Sequence, residues 1–324
     1  MPGGPTLAKE LGVDGKTVWA ALKILEEEGL LIAHGAGRRR EISLPDDLDA
    51  PSLRLAILDY EPLEQTEEWT VAMRQRLMEE GHSPFFTDKS LTELGMDVKR
   101  VARMVKKTSA DAFVVGSGSR EILEWFAKQD RPAFAMFGRR RGLPIAGVGP
   151  DHEAAGREVV KHLISLGHRR IVILVRAGNR IGGPSASERA IFEEMTAAGI
   201  PTSSYNLPDW EDSPEGLEVV MNELFRVTPP TALIVDEAIL FHAVREHLAQ
   251  RGIVAPAHVS LICTDPDRTF SWCRPTVAHI RWDHRAVVRR ILRWTENVAR
   301  GKEDRQQTLT KAEFVNGGTV GPPP

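Results

Sequence analysis

From Leu53 onward the chain alternates short apolar runs with segments of helical period, and that rhythm confines it to a parallel α/β architecture. The run Leu53–Asp59 is followed by a helical pattern near Thr66–Glu80 and a second apolar run near Pro84–Thr87. A helix near Asp97–Thr108 leads into Ala112–Val115, then a helix over Arg120–Gln129 into Ala133–Phe137. After a break near Gly142–Pro150 the pattern resumes, with a helix over His152–Leu166, a strand over Arg170–Val175 and a helix over Glu188–Ala198. Later strands are expected at Ala232–Val235, Val259–Cys263 and Val277–Ile280, with helices near Glu237–Gln250 and His284–Arg300. The reading is two doubly wound halves, each a parallel sheet with helices on both faces. Two such halves facing each other leave a cleft at the carboxyl ends of their strands, where small ligands bind.

The first forty-odd residues are organised differently. Leu7, Ala8 and Leu11 give a short helix an apolar face that Gly12 stops. Asp14 is placed to cap a second helix with Val18, Ala21, Leu22 and Leu25 on one stripe and Gly29 at its end. Two short strands, Leu30–Ala33 and Arg38–Ile42, flank Gly35 and Gly37. Helix, short turn, helix and hairpin is the plan of a winged helix-turn-helix. The second helix offers Lys16, Thr17, Trp19 and Lys23 near its start, where a recognition helix meets base edges and phosphates. Arg38, Arg39 and Arg40 stand in a row beside flexible glycines, where guanidinium groups reach phosphates or a narrow minor groove. A helical hairpin that merely packs on a neighbour is the plainer alternative, and these cations argue against it. The expected organisation is residues 1–43 as a partial DNA-binding head, 44–52 as an acidic, proline-containing linker, and 53–324 as the ligand domain.

Composition limits the partners. A net charge of -3 exerts no overall pull towards nucleic acid, so any DNA contact depends on a local basic patch. The two cysteines, Cys263 and Cys273, have no metal-ligand spacing and fit a reducing cytoplasm. No secretory pattern opens the chain and no apolar run approaches the roughly 20 residues of a membrane helix. A cytoplasmic protein is expected.

Two parts of the chain resemble known families. The run LGVDGKTVWAALKILEEEGLL, from Leu11 to Leu31, is similar to the recognition stretch of GntR-type winged helices. Gly15 and Trp19 stand where that family usually has arginines, residues 1–42 are near charge balance, and most of the family's first helix would precede Met1. The runs Gly147–Leu174 and Pro229–Asp267, with the ending Phe314–Gly321, resemble the LacI/GalR effector domain. That resemblance implies a periplasmic-binding-protein-like fold, a homodimer, and operator DNA binding controlled by a small-molecule effector, a sugar.

A polyol ligand needs charged hydrogen-bond partners in fixed geometry and an aromatic face. By the resemblance, Arg189 in SERAIFEEM, Asp236 after a strand, Asp265 after another and Trp210 in LPDWEDSPEG are the candidate ligand-binding residues. Each has an ordinary alternative: a solvated helix arginine, a helix N-cap for either aspartate, a rim or core tryptophan. Val235 replaces the asparagine that usually precedes the position of Asp236. The GSGS run from Gly116 to Ser119 is better explained as a tight strand–helix turn than as a phosphate site. No H-E-x-x-H, G-x-S-x-G or P-loop occurs, and His242 and His247 lie five apart, off a shared helix face. Neither catalysis, cofactor nor metal is expected. The competing reading is a cytoplasmic small-molecule sensor whose incomplete head grips DNA weakly or not at all.

Overall fold

The computed structural model describes residues 4–27, 31–32, 41–42, 51–176, 180 and 183–324. The chain divides into two compact units, Met1–Ser52 with Ala299–Lys302, and Leu53–Val298 with Glu303–Pro324.

In the small unit, α1 (Gly4–Leu11) and α2 (Gly15–Glu27) precede a two-stranded antiparallel ladder of β1 (Leu31–Ile32) and β2 (Glu41–Ile42). Gly12 takes the positive φ that ends α1. The Asp14 carboxylate accepts from the Lys16 N–H at 3.2 Å, the N-cap geometry expected of it. Val18, Leu22 and Leu31 form a small core, with Leu7, Ala8 and Leu25 packed against it. Leu11, at the end of α1, and Ala21 are exposed, so the apolar stripe is narrower than its sequence suggests. Residues 33–40, which carry Arg38, Arg39 and Arg40, lie outside the described residues.

The large unit contains two sheets. The first runs β4 (Ser83–Phe86), β3 (Arg54–Leu58), β5 (Ala112–Gly116), β6 (Ala133–Met136), β7 (Ala146–Pro150) and β12 (Gln307–Thr310), every pair parallel. The second runs β8 (Ile171–Leu174), β9 (Ala232–Val235), β10 (Ser260–Cys263), β11 (Ala278–Trp282) and an antiparallel edge, β13 (Ala312–Val315). Strands β5, β8, β9 and β10 are buried along their whole length, which is why they read as unbroken apolar runs.

Helices cover both sheets: α3 (Glu68–Glu79), α4 (Val98–Lys107) and α5 (Arg120–Phe126) alternate with the strands of the first. The elements α6 (His152–Ser165), α7 (Ala186–Ala197), α8 (Pro214–Arg226) and α9 (Ala238–Ala249) alternate with those of the second. The chain passes between the sheets three times, from β7 into α6, from β11 into α10 (His284–Ala299), and from β12 into β13. On its return, α10 buries Trp294 against Phe134, ring centroids 5.2 Å apart, and sets Arg290 on Asp304 at 2.7 Å.

Four elements depart from the sequence reading. The break near Gly142–Pro150 contains β7, whose sequence AGVGP looks like a loop. The glycines have a packing cause: a Cβ on Gly147 would lie 2.5 Å from Arg140 Cδ, and one on Gly149 2.9 Å from its Nη1. Arg140 is threaded past them and buried. The helix α8 and the strands β12 and β13 were also not anticipated. The Gly116–Ser119 run is a strand–helix turn, its Ser119 hydroxyl capping α5.

Candidate functional site

The carboxyl ends of both sheets open onto one cavity of about 2010 Å³. The first sheet places β3 between β4 and β5, a reversal of strand order, and a crevice forms where strand order reverses. The segment after β3 lines that side with Glu61, Glu64 and Glu67, and Ser117 follows β5. From the second sheet come Val175 after β8, Asp236 and Glu237 after β9, and Thr264 and Asp265 after β10. The space exceeds the roughly 300–1,000 Å³ of an ordinary ligand pocket.

Charge is concentrated on the floor. Arg176 crosses the cleft from the second subdomain, reaching Glu61 of the first at 2.9 Å, with Asp212 at 3.1 Å and Glu237 at 3.4 Å on its own side. Its guanidinium also lies 5.4 Å from the centroid of the Tyr60 ring. Burial opposes its charge, but Glu237 and Glu61 outweigh burial and hold its pKa above the ordinary value. Deeper still, Asp59 is 1% exposed and neither carboxylate oxygen has a hydrogen-bond partner. Burial, reinforced by the charge of Glu67, raises its pKa to about 7. Burial, with Asp59 adding, raises Glu64 to about 8, although its carboxylate accepts from the Tyr60 N–H. Arg140 is the buried cation of the site; its Nη1 donates to the Phe137 carbonyl at 3.2 Å, and burial lowers its pKa to about 10.

Four rings form a closed circuit at one side of the cavity. Trp69 stacks on His284 at 5.4 Å and meets Phe137 edge-on at 5.8 Å. Trp282 meets Phe137 at 5.4 Å and His284 at 4.2 Å. Trp282 and His284 flank the second passage between subdomains, so the circuit sits on a hinge strand as well as on the wall. Each indole orients a carboxylate: Trp69 Nε1 donates to Glu67 at 2.5 Å and Trp282 Nε1 to Asp265 at 2.9 Å.

Of the residues expected from sequence, Arg189, Asp236 and Asp265 line this one cavity. Arg189, on α7, is exposed and donates from Nη1 to the Pro184 carbonyl at 2.5 Å. Asp236 accepts from the Thr264 hydroxyl at 3.0 Å. Neither aspartate is a helix N-cap; that position before α9 is Glu237, and Asp267 caps the short helix after β10. Burial raises the Asp265 pKa against the Trp282 bond, and His152 Nε2 stands 3.8 Å from its carboxylate. Trp210 does not line the cavity: it packs on the second subdomain's apolar core and donates from Nε1 to the Val175 carbonyl at 2.8 Å. It supports the wall at Val175. On the small unit, Lys16, Thr17, Trp19 and Lys23 are exposed, and Lys16, Trp19 and Lys23 follow the three- and four-residue spacing of one helix face. Glu61, Glu64, Glu67, Trp69, Phe137, Arg176 and Trp282 were missed. The one available signal was the run EPLEQTEEW after the first strand, with four glutamates in eight residues. Among the described residues no cluster of His, Cys, Asp or Glu is arranged to hold a metal ion, and no helix is long and apolar enough to cross a membrane.

Two apposed, mainly parallel sheets joined by three passages, with a charged and aromatic cleft between them, are the architecture of the periplasmic-binding-protein-like fold. Residues 160–320 match the family model of the periplasmic binding protein-like domain. The large unit has the fold of LacI-family regulators. A LacI family transcriptional regulator from Enterococcus faecium, solved with bound ribose, superposes with a TM-score of 0.64 at 16% identity, covering 83% of this chain and 98% of that one. The lac repressor dimer bound to operator and an anti-inducer gives 0.65 at 16% identity, covering 86% and 99%. In sequence, the HTH-type transcriptional regulator DegA of Bacillus subtilis is 26% identical over 167 residues, 50% of this chain and 49% of DegA. The chain spans about half the length of the curated relatives it matches.

Proposed function

We propose that this chain is a transcriptional regulator: a winged-helix head of the GntR type binds operator DNA, and a sugar effector in the cleft controls that binding. The observation that carries the reading is the cleft itself, where Arg189, Asp236 and Asp265 line one cavity beside an aromatic surface. Charged hydrogen-bond partners plus an aromatic face suit a polyol. The relatives are consistent with it, being HTH-type regulators by name and, in one solved case, ribose-bound. The head's part is supported by two helices joined at Gly12–Asp14, an antiparallel pair beyond them, and exposed Lys16, Thr17, Trp19 and Lys23 on the second helix. Such a regulator works in the cytoplasm beside its operator, as a homodimer that presents two recognition helices to a two-fold site.

A gel-shift selection with genomic fragments tests the reading. It predicts retention of a small set of fragments that share a pseudo-palindrome, with mobility changed by the effector. No retained fragment, together with intact ligand binding, would replace it by the sensor whose head has lost its grip on DNA.

A further inference from the structure

The two walls of the cleft present carboxyl groups to each other where a ligand would join them. Glu61, Glu64 and Glu67 come from the first subdomain, Asp236, Glu237 and Asp265 from the second. Arg176 answers Glu61 and Glu237. Of the arginines that also line the cavity, Arg268 pairs with Glu68 at 3.1 Å, Arg285 with Asp283 at 3.0 Å, Arg120 with Glu124 at 2.8 Å and Arg141 with Glu153 at 2.6 Å, while Arg140 donates to the Phe137 carbonyl. Glu67 and Asp265 are each held by an indole N–H. The neighbour of Asp265 is His152, and burial lowers its pKa, which favours the neutral imidazole. Burial raises Glu67 against its Trp69 bond, and the charge of Asp265 across the cleft adds to that rise. Beneath Glu67, Asp59 is 1% exposed with both oxygens lacking a hydrogen-bond partner. Buried acceptors without donors are costly, and so is bringing two carboxylates together across a closing cleft. A neutral polyol offers hydroxyl donors but leaves that repulsion in place, whereas a cation removes it.

The aromatic circuit points the same way. Trp69, Phe137, Trp282 and His284 form a ring whose two indoles carry these two carboxylates. Carboxylates set among aromatic rings are surroundings that can hold an ammonium group. Taking the cleft as the effector site, we propose that its effector carries a protonated amine on a polyol-sized body, the ammonium seated between Glu67 and Asp265 against Trp69 and Trp282. Arg189, on the same cavity, is then left to bind hydroxyl groups.

The test uses the full chain, titrated with D-glucosamine, D-galactosamine and D-mannosamine, each beside its neutral parent sugar and its N-acetyl derivative. Binding is followed by calorimetry and by tryptophan fluorescence, since Trp69 and Trp282 line the site. At least one amine is expected to bind about tenfold or more tighter than its neutral and N-acetyl counterparts. Glu67→Gln and Asp265→Asn, checked for unchanged melting, are each expected to erase that preference. A neutral parent or N-acetyl sugar that binds as tightly as its amine overturns the proposal and leaves the effector site standing. Binding of none of the nine compounds overturns both. An amine preference that survives in both variants overturns the placement of the ammonium.

Discussion

Asp59→Asn is expected to stabilise the protein, and to do so more strongly as pH rises. The carboxyl group moves from an ordinary value of 3.8 to about 7 in the fold, because burial disfavours its charge and Glu67 adds repulsion. A carboxyl raised on folding stays protonated in the native state while the unfolded chain has already lost the proton. Stability therefore falls as pH rises from 3.8, and the loss is complete above the folded value near 7. At about 1.4 kcal/mol per unit, the ionised group costs the fold about 4 kcal/mol at about pH 8 and about 1.5 kcal/mol at about pH 5. The asparagine has no such dependence, so the gap between variant and parent should widen by about 3 kcal/mol between those conditions. Glu64 reinforces the trend, since Asp59 is one cause of its own rise. Urea unfolding followed by tryptophan fluorescence reads the gap directly, and of the seven tryptophans only Trp19 lies in the small unit. A gap that stays constant across pH would show that Asp59 ionises freely and that the account of an acidic, desolvated floor is wrong.

Three other perturbations separate the parts of the account. Arg176→Gln removes the cation shared by Glu61, Asp212 and Glu237, and should cost about 3 kcal/mol at neutral pH. Because Glu237 is raised by burial and by Asp236, that cost should shrink as pH falls; a pH-independent loss would mean Arg176 acts by packing alone. Replacing Arg38, Arg39 and Arg40 by alanine should lower DNA affinity on all sequences and flatten its salt dependence by roughly 0.9 log units per lost phosphate contact, so an unchanged slope would remove the wing from the interface. Lys16→Ala and Thr17→Ala should instead weaken a cognate site more than random DNA, by about 1–3 kcal/mol per lost base contact. Sedimentation at micromolar concentration should give a dimer, and a monomer with and without DNA would end the two-fold model.

The large unit was legible where buried strands are built from unbroken runs of large apolar residues. Ile171–Leu174 and Ala232–Val235 announce themselves because nothing polar interrupts them. The strand Ala146–Pro150 was hidden because its glycines answer to Arg140, a residue from a preceding loop that only the folded chain brings alongside. Edge strands β12 and β13 are half exposed and carry no such run. In the cleft, Arg189, Asp236 and Asp265 sit in local motifs, and the fold carries all three to one cavity. Trp69, Trp282 and Arg176 belong to no motif; their roles arise from contacts across subdomains and cannot be read along the chain. Trp210 shows the converse, because a motif position indicated a ligand contact whereas its indole is spent on the Val175 carbonyl.

The central claim is that occupancy of the cleft is transmitted to operator binding. It is tested most directly by titrating a labelled operator fragment, with and without the identified effector, using the parent, Arg189→Ala and Asp265→Ala. Truncating either residue leaves a partly desolvated polar group unpaired and should cost about 2–5 kcal/mol of effector affinity by calorimetry. An effector shifts operator binding only through its differential affinity for two conformations, so both variants should bind operator normally without effector and lose the response to it. Near-native effector affinity and an intact operator response in both variants would contradict the claim.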